Sequence, residues 1–121
     1  MTSPAEAPAG APAEAGQDEI VRVVAIWRSA PGNENAVRGI ARELAAATRG
    51  EPGCARFDVL ESASRPGNFV LIEQYAGAAA QASHLASRHF NDLVLTQAVP
   101  LLAHRDVQVY NVLTLEGNSN P

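Results

Sequence analysis

Two histidines and one carboxylate lie close together in the stretch Leu71–Phe90, LIEQYAGAAAQASHLASRHF. Glu73 lies in an apolar segment typical of a strand, and His84 and His89 follow in an alanine-rich helical stretch. Histidine has the unperturbed pKa nearest neutrality, and a carboxylate inside an apolar strand is costly unless it is paired or protonated. The grouping therefore indicates proton-transfer chemistry, with Glu73 as general base and the two histidines as its partners.

Each of these three residues also has a structural interpretation. Glu73 could form an ion pair with an arginine such as Arg22 or Arg28, or lie at an exposed strand end. His84 could bond a backbone carbonyl near a helix end. His89 could stay neutral and bond a substrate hydroxyl, because a helix N-terminus disfavours imidazolium, or it could only brace a break in the helix. The sequence leaves these alternatives open.

A metal centre is not expected. Glu73, His84 and His89 could bind an ion in principle, but the histidine spacing of five residues is not a ligand signature. The sequence has no phosphate-binding loop, no HExxH motif and no Ser-His-Asp order. We therefore predict a site without a metal or another cofactor.

Four further residues are candidates for contact with a substrate. Trp27 ends the first predicted strand and could stack on a planar ring, or fill a core or a dimer interface. Phe90 could line a pocket, with core packing as the alternative. Tyr75 ends the third predicted strand and belongs to the same predicted set. Asp58 lies on the second strand, where it could pair with Arg56 at the surface or line the cavity.

Length and composition limit the classes of protein. The chain has 121 residues, enough for one domain with a modest core, and a formal net charge of −4. No basic stripe indicates nucleic-acid binding, and no apolar run approaches the ~18 residues of a membrane span. Cys54 is the only cysteine, so an intrachain disulfide is impossible. Because the N-terminus lacks a signal-peptide pattern, we expect a cytoplasmic protein.

The predicted elements follow the order β-α-β-β-α-β, which is the ferredoxin-like arrangement of the α+β class. Residues 1–18 are rich in Ala, Pro, Gly and Glu and are predicted to be a disordered tail. Residues 19–115 form the predicted domain, and residues 116–121 a frayed tail. The predicted ranges are Ile20–Arg28, Asn33–Arg49, Cys54–Glu61, Asn68–Tyr75, Gly77–Ala86 with Ser87–Val99, and Arg105–Leu115.

This topology predicts a four-stranded antiparallel sheet with helices on one face. We assign a second set of apolar residues to the other face: Trp27 with Val23 or Ile26, Phe57 with Val59, and Val107 with Val109. A bare apolar sheet face marks an interaction site, and a small ligand cannot cover four strands. We therefore predict a homodimer packed sheet to sheet.

Four segments resemble the antibiotic biosynthesis monooxygenase family: Val23–Gly32 (VVAIWRSAPG), Glu51–Leu60 (EPGCARFDVL), Leu71–Tyr75 (LIEQY) and His84–Phe90 (HLASRHF). The resemblance covers roughly residues 20–113 and rests on the order and spacing of these segments. It implies a dimeric α+β barrel. The family includes cofactor-independent monooxygenases of polyketide phenols, quinol monooxygenases, haem-degrading oxygenases and an isomerase of a phosphorylated signalling sugar. Fold membership alone does not choose among these activities.

Departures from the family pattern narrow the expected chemistry. Polyketide-oxidising members place an Asn and a Trp four residues apart on the third strand, where this chain has Leu71 and Tyr75. Haem-degrading members use an axial histidine whose register does not match His84 or His89. The combination of these histidines with Glu73 is closer to the quinol monooxygenase and sugar-isomerase members.

The resemblance and the residues together predict a dimeric oxygenase without metal, flavin or haem. Its expected partners are dioxygen and a small aromatic substrate, such as a quinol or a phenolic polyketide, which Glu73, with His84, would deprotonate. A proton-shuttling isomerase of a small hydroxyketone would use the same residues without oxygen. A non-catalytic dimeric binding or stress protein is the alternative from another class, and it is favoured if Glu73 and His84 do not share a cavity.

Overall fold

The computed structural model describes residues 19–113 of the chain. Its elements are β1 (Val21–Ser29), α1 (Glu34–Arg49), β2 (Cys54–Glu61), β3 (Asn68–Tyr75), α2 (Ala78–Leu85), a π-helical segment α3 (Phe90–Ala98), a 3₁₀ turn (Val99–Leu101) and β4 (Leu102–Tyr110). The strands form one antiparallel sheet in the order β2-β3-β1-β4. This arrangement confirms the predicted ferredoxin-like α+β fold. The predicted tails, residues 1–18 and 116–121, lie outside the described residues.

The first half of the chain follows the predicted boundaries closely because its turns contain strong breaking residues. β2 and β3 have the predicted ranges, and Gly67 in the turn between them has a φ of +92°, which favours glycine. A side chain there would also collide with Glu34, whose Cγ lies 2.4 Å from the position of an added Cβ. α1 begins one residue later than predicted and ends at Arg49 as predicted, before Gly50 and Pro52.

The second helical stretch is divided where the sequence predicts a break. α2 stops at Leu85, and the Ser87 hydroxyl donates to the carbonyl of His84 at 2.7 Å. The same Ser87 Oγ accepts the backbone N–H of Phe90 at 3.1 Å, so Ser87 caps the second piece. That piece is π-helical rather than α-helical from Phe90 onward, a feature that the sequence pattern does not distinguish.

The last strand differs more from its prediction. β4 begins at Leu102, three residues before the predicted start, and ends at Tyr110. Residues 111–113 are not part of the strand, and residues 114 and 115 lie outside the described residues.

Of the apolar residues assigned to the open face of the sheet, Ile26 lies there, and the assignment of the others is wrong. Directly opposite residues of antiparallel strands share a face, and Trp27 lies between Phe69 on β3 and Arg105 on β4. Trp27, Val23 and Phe57 are buried on the face that the helices cover. Three further residues on this face are partly buried and pack against the same core: Val59, Val107 and Val109. The open face instead carries the half-buried residues Val24, Ile26, Val70 and Ile72. Both faces of β1 are apolar, so alternation alone does not show which face the helices cover.

The core fills the space between the sheet and the helices. α1 contributes Val37, Ile40, Ala41, Leu44, Ala45 and Thr48, spaced at about one helical turn. Within residues 19–113, no helix is long and apolar enough to cross a membrane.

Candidate active site

A small cavity lies between the helix-covered face of the sheet and the second helical stretch. Its wall is mostly apolar and includes Trp27, Leu71, Phe90 and Val94. The polar part of the wall comes from Glu73, Gln81, His84 and Arg105. The cavity measures about 30 Å³, which is room for two or three waters because one water needs roughly 10–15 Å³.

Glu73 is a buried carboxylate on β3. Residues two apart on a strand share a face, so Glu73 points toward the helices together with the buried Leu71 and Tyr75. Its exposed fraction is 7%. The Tyr75 hydroxyl donates to Glu73 Oε1 at 2.6 Å. Burial raises the pKa of Glu73 to about 7, against the opposing effects of the Tyr75 hydrogen bond and the Arg105 charge. Glu73 can therefore accept or release a proton near neutral pH.

The cation near Glu73 is Arg105, not Arg22 or Arg28 as the structural alternative supposed. Arg22 and Arg28 lie at the positions of β1 that face away from the helices. Burial lowers the pKa of Arg105, and the nearby Glu73 charge opposes that effect. An arginine side chain stays charged in proteins, so Arg105 supplies a partly desolvated positive charge to the cavity.

His84 is almost completely buried on α2, with 3% of its surface exposed. Its ring stacks on Tyr75 at a centroid distance of 5.1 Å and meets Phe90 edge-on at 5.2 Å. Burial lowers the pKa of His84, while the hydrogen bond to Glu51 opposes the change. Nδ1 lies 2.9 Å from Glu51 Oε2, and because a carboxylate only accepts, this bond places a proton on Nδ1. Nε2 is then the ring nitrogen left to accept a hydrogen bond.

His89 contacts the same carboxylate oxygen from the other side. Its Nε2 lies 2.5 Å from Glu51 Oε2, and its side chain is 25% exposed. The structure therefore brings His84 and His89 together as predicted, but their shared partner is Glu51 and not Glu73. Within the described residues, Glu73 bonds Tyr75.

Sequence reasoning missed Glu51 because it lies in the turn between α1 and β2. The Glu51 N–H bonds the Thr48 carbonyl at 2.9 Å, and the Gly53 carbonyl accepts the Ala76 N–H at 2.8 Å. A Cβ on Gly53 would lie 2.4 Å from the Cβ of Ala80, so only glycine permits this approach to α2. Gly53, two residues after Glu51, was the available signal in the sequence. It is informative only once the structure shows that the turn packs against α2.

Two buried polar atoms in the cavity wall have no hydrogen-bond partner among the described residues. They are Gln81 Oε1 and Arg105 Nε, and Gln81 is 1% exposed. Buried polar groups are rarely left unsatisfied. Gln81 can accept from a hydroxyl, and Arg105 can donate to a carbonyl or an oxyanion. A ligand that carries both kinds of group would satisfy both residues.

The four predicted substrate contacts have three different placements. Trp27 and Phe90 line the cavity. Tyr75 lies behind the wall, between Glu73 and the ring of His84. Asp58 does not line the cavity. Its carboxylate forms ion pairs with Arg56 on β2 at 2.6 Å and with Arg49 on α1 at 3.6 Å. This placement gives no support to a role of Asp58 in substrate binding.

Comparisons with known proteins agree with this fold. A family model described as antibiotic biosynthesis monooxygenase matches residues 20–94. "Putative monooxygenase Rv0793" of Mycobacterium tuberculosis is 34% identical over 70 residues, which are 58% of this chain and 68% of that protein. The solved structure of Rv0793 superposes with a TM-score of 0.73 at 30% identity, covering 82% of this chain and all of that one. PA3566 from Pseudomonas aeruginosa gives a TM-score of 0.74 at 26% identity, covering 81% and 99%.

The raised pKa of Glu73 predicts a specific dependence of stability on pH. Between about pH 4.5 and 7 the native state holds a proton that the unfolded state has released, so this residue lowers the free energy of unfolding as pH rises. The full loss is roughly 3 kcal/mol. Glu73→Gln has no group to titrate at this position, so it does not lose this free energy of unfolding. As pH rises from about 4.5 to 7, its free energy of unfolding should increasingly exceed that of wild type.

Urea denaturation at several pH values measures this difference directly. Glu43→Gln, an exposed glutamate on α1, is the matched control and should keep the wild-type pH slope. The assignment is contradicted if Glu73→Gln and wild type show parallel curves.

Proposed function

Since the chain belongs to the antibiotic biosynthesis monooxygenase family, we propose that it oxidises a quinol or a phenolic, polyketide-like aromatic with dioxygen and without a cofactor. The observation that carries the proposal is the convergence of Glu73, His84 and Arg105 on one largely apolar, buried cavity. Trp27 and Phe90 lie in the same wall and offer flat apolar surfaces to an aromatic ring.

The proposed reaction begins with removal of a proton from the ring hydroxyl. Glu73 accepts that proton, assisted by the hydrogen bond from a substrate hydroxyl to His84 Nε2 or Gln81 Oε1. Arg105 stabilises the resulting oxyanion, and such stabilisation is strongest in a site from which water is excluded. The residues of the cavity wall therefore supply a base, an anion-binding group and a site from which water is excluded.

The anion itself supplies the electrons for oxygen reduction. One electron passes from it to dioxygen, the carbon radical and superoxide combine into a peroxide, and the peroxide O–O bond then breaks with loss of water. One oxygen atom ends in the product as a carbonyl and the other in water, while the substrate loses two hydrogens, one from the ring carbon that is oxidised and one from the hydroxyl that was deprotonated. The balance closes without an external reductant, so the proposal requires no flavin, haem or metal.

Oxygen uptake with a panel of quinols and phenolic polyketides tests the proposal. Glu73→Gln should lower the rate by roughly 10²–10⁴-fold, which is the usual contribution of a general base. Asp58→Asn makes the same chemical change outside the cavity and should keep the wild-type rate. Uptake that survives Glu73→Gln combined with His84→Ala would contradict the proposed roles, and absence of uptake with every substrate would contradict the activity.

The small volume of the cavity favours a second candidate function. A space of about 30 Å³ accommodates a large polycyclic ring only if the wall moves, whereas a small hydroxyketone demands less displacement. Glu73 and His84 could then move a proton between adjacent carbons of the substrate, and Arg105 could hold its oxyanion. This isomerase would need no oxygen.

Hydrogen exchange under anaerobic conditions separates the two candidates. For the isomerase, a small hydroxyketone in D₂O should incorporate deuterium at the carbon next to its carbonyl, as NMR can follow. Glu73→Gln should slow this exchange by roughly 10²-fold or more, whereas Asp58→Asn should not. An exchange rate equal to that of buffer would exclude this candidate and leave the oxygenase.

We also propose the predicted homodimer, with its interface moved to the face that the register leaves open. Val24 lies opposite Ile72, and Ile26 lies opposite Val70. These side chains form one half-buried apolar block, and the neighbouring Leu60 is 51% exposed. Contiguous apolar surface of this kind is typical of an interaction site.

The proposed location remains the cytoplasm, where the free Cys54 thiol would stay reduced.

Ile72→Glu places a charge at the centre of this apolar block and should convert the dimer to a monomer, because an unpaired charge in an interface is costly. Light scattering coupled to size-exclusion chromatography measures the mass. Ala46→Glu, at an exposed position of α1, should leave the dimer intact. A monomeric wild-type protein, or a dimeric Ile72→Glu variant, would refute this interface.

A further inference from the structure

The cluster of Glu51, His84 and His89 is not explained by the proposed reaction. Of the three, only His84 lines the cavity. The other two lie behind it, and all three ligand-capable atoms fall within 4.8 Å of one another. They come from three separate parts of the fold: the α1–β2 turn, α2, and the start of the stretch that leads into α3.

The donor set matches a divalent transition-metal ion. Imidazole nitrogen with carboxylate oxygen suits Zn²⁺ and its first-row neighbours, whereas Mg²⁺ and Ca²⁺ prefer oxygen alone. Such an ion holds its ligands at about 2.0–2.2 Å and therefore sets neighbouring ligand atoms roughly 3 Å apart. The Oε2 of Glu51 already lies 2.9 Å from Nδ1 of His84 and 2.5 Å from Nε2 of His89. Small side-chain rotations would admit an ion between the three atoms.

The charge and exposure of the cluster also favour a cation. Across residues 19–113, the ion-pair partners of Glu51 are the two histidines, and no arginine lies within salt-bridge distance of it. Side-chain exposure rises from 3% for His84 through 15% for Glu51 to 25% for His89. The cluster is therefore enclosed on the cavity side and open on the His89 side, through which an ion and its remaining water ligands could enter.

Gln81 supplies a second, independent observation. A histidine bound to a metal through one ring nitrogen carries its proton on the other, and it almost always donates that proton to an acceptor. Coordination through Nδ1 would leave the proton of His84 on Nε2. Gln81 Oε1 is a buried acceptor without a partner among the described residues, three positions earlier on α2 and in the same cavity wall. The two groups are not directly bonded in the structure, so the Nε2–H would reach Gln81 through one bridging water or after rotation of the amide.

We infer that Glu51, His84 and His89 bind one divalent first-row transition-metal ion through a carboxylate oxygen and two imidazole nitrogens, with Gln81 as the acceptor for His84. The remaining coordination positions face solvent beside His89. The ion lies next to the cavity and not in it, so its direct effect on the cavity is to make His84 a hydrogen-bond donor. Proton removal from a substrate then falls to Glu73 alone.

Cobalt titration of the untagged full chain, stripped with a chelator, tests the site. Wild type should bind one Co²⁺ per chain with visible absorbance, and Zn²⁺ should displace it while Mg²⁺ and Ca²⁺ do not. Glu51→Gln and His89→Ala should each weaken binding by more than roughly 100-fold, because loss of an outer acceptor alone costs about 10–100-fold. Gln81→Leu should fall in that smaller range.

His104→Ala and Glu43→Gln are the matched controls, because both residues are exposed and lie outside the cluster. They should bind Co²⁺ as tightly as wild type. Circular dichroism establishes that each variant is folded, and His89→Ala is the more conservative test because His89 is the most exposed ligand. No binding by wild type, or binding unaffected by His89→Ala, would overturn the inference and leave a purely hydrogen-bonded cluster.

This outcome is separate from that of the proposed oxygenase. Metal binding is measured without substrate, and oxygen uptake can be measured on the stripped chain. Uptake without metal binding removes the metal site and keeps the reaction. Metal binding without uptake by either stripped or loaded protein keeps the site and removes the reaction.

Discussion

Antiparallel pairing of β1 with both β3 and β4 decides which side chains meet the helices. The register sets Val23 opposite Glu73, and Trp27 opposite Arg105. A shift of one residue in β1 would turn Val23 and Trp27 to the open face, and the same shift in β3 or β4 would take Glu73 or Arg105 out of the cavity. The residues that close the core and those that form the site therefore depend on the same register.

The groups around Glu73 compensate its buried charge only in part, and this keeps its pKa raised. Tyr75 donates to Glu73, and Arg105 contributes a positive charge, yet burial remains the largest influence on the pKa of Glu73. A fully paired carboxylate would stay ionised and be a weak base. Where the polyketide-oxidising relatives are expected to carry a Trp, this chain has Tyr75, whose hydroxyl holds the carboxylate. Of the residues at the two expected positions, Leu71 brings no polar group and Tyr75 donates its hydroxyl to Glu73.

The fold was predictable from sequence to the extent that its boundaries are marked by residues with strong local preferences. Pro52, Gly67 and Ser87 each mark a break that the structure contains. The face of the sheet was not predictable, because Val24 and Ile26 are as apolar as Val23 and Trp27. Site membership was predictable only in part. Glu73, His84 and Phe90 were predicted as site residues, whereas Gln81 in the same stretch and Arg105 on β4 are identified only by their place in the cavity wall and their unsatisfied atoms.

The break at Ser87 explains how His84 and His89 reach the same atom. On a continuous α-helix, residues five apart point about 140° away from each other, so two such histidines could not share one carboxylate oxygen. The helix instead stops at Leu85, the Ser87 hydroxyl bonds both the His84 carbonyl and the Phe90 N–H, and a new helical turn begins after Ser87. His89 is thereby redirected toward Glu51, while Gly53 lets the Glu51 turn approach from the opposite side. The break at Ser87 was predicted from the sequence; Glu51, the carboxylate that both imidazoles contact, was not.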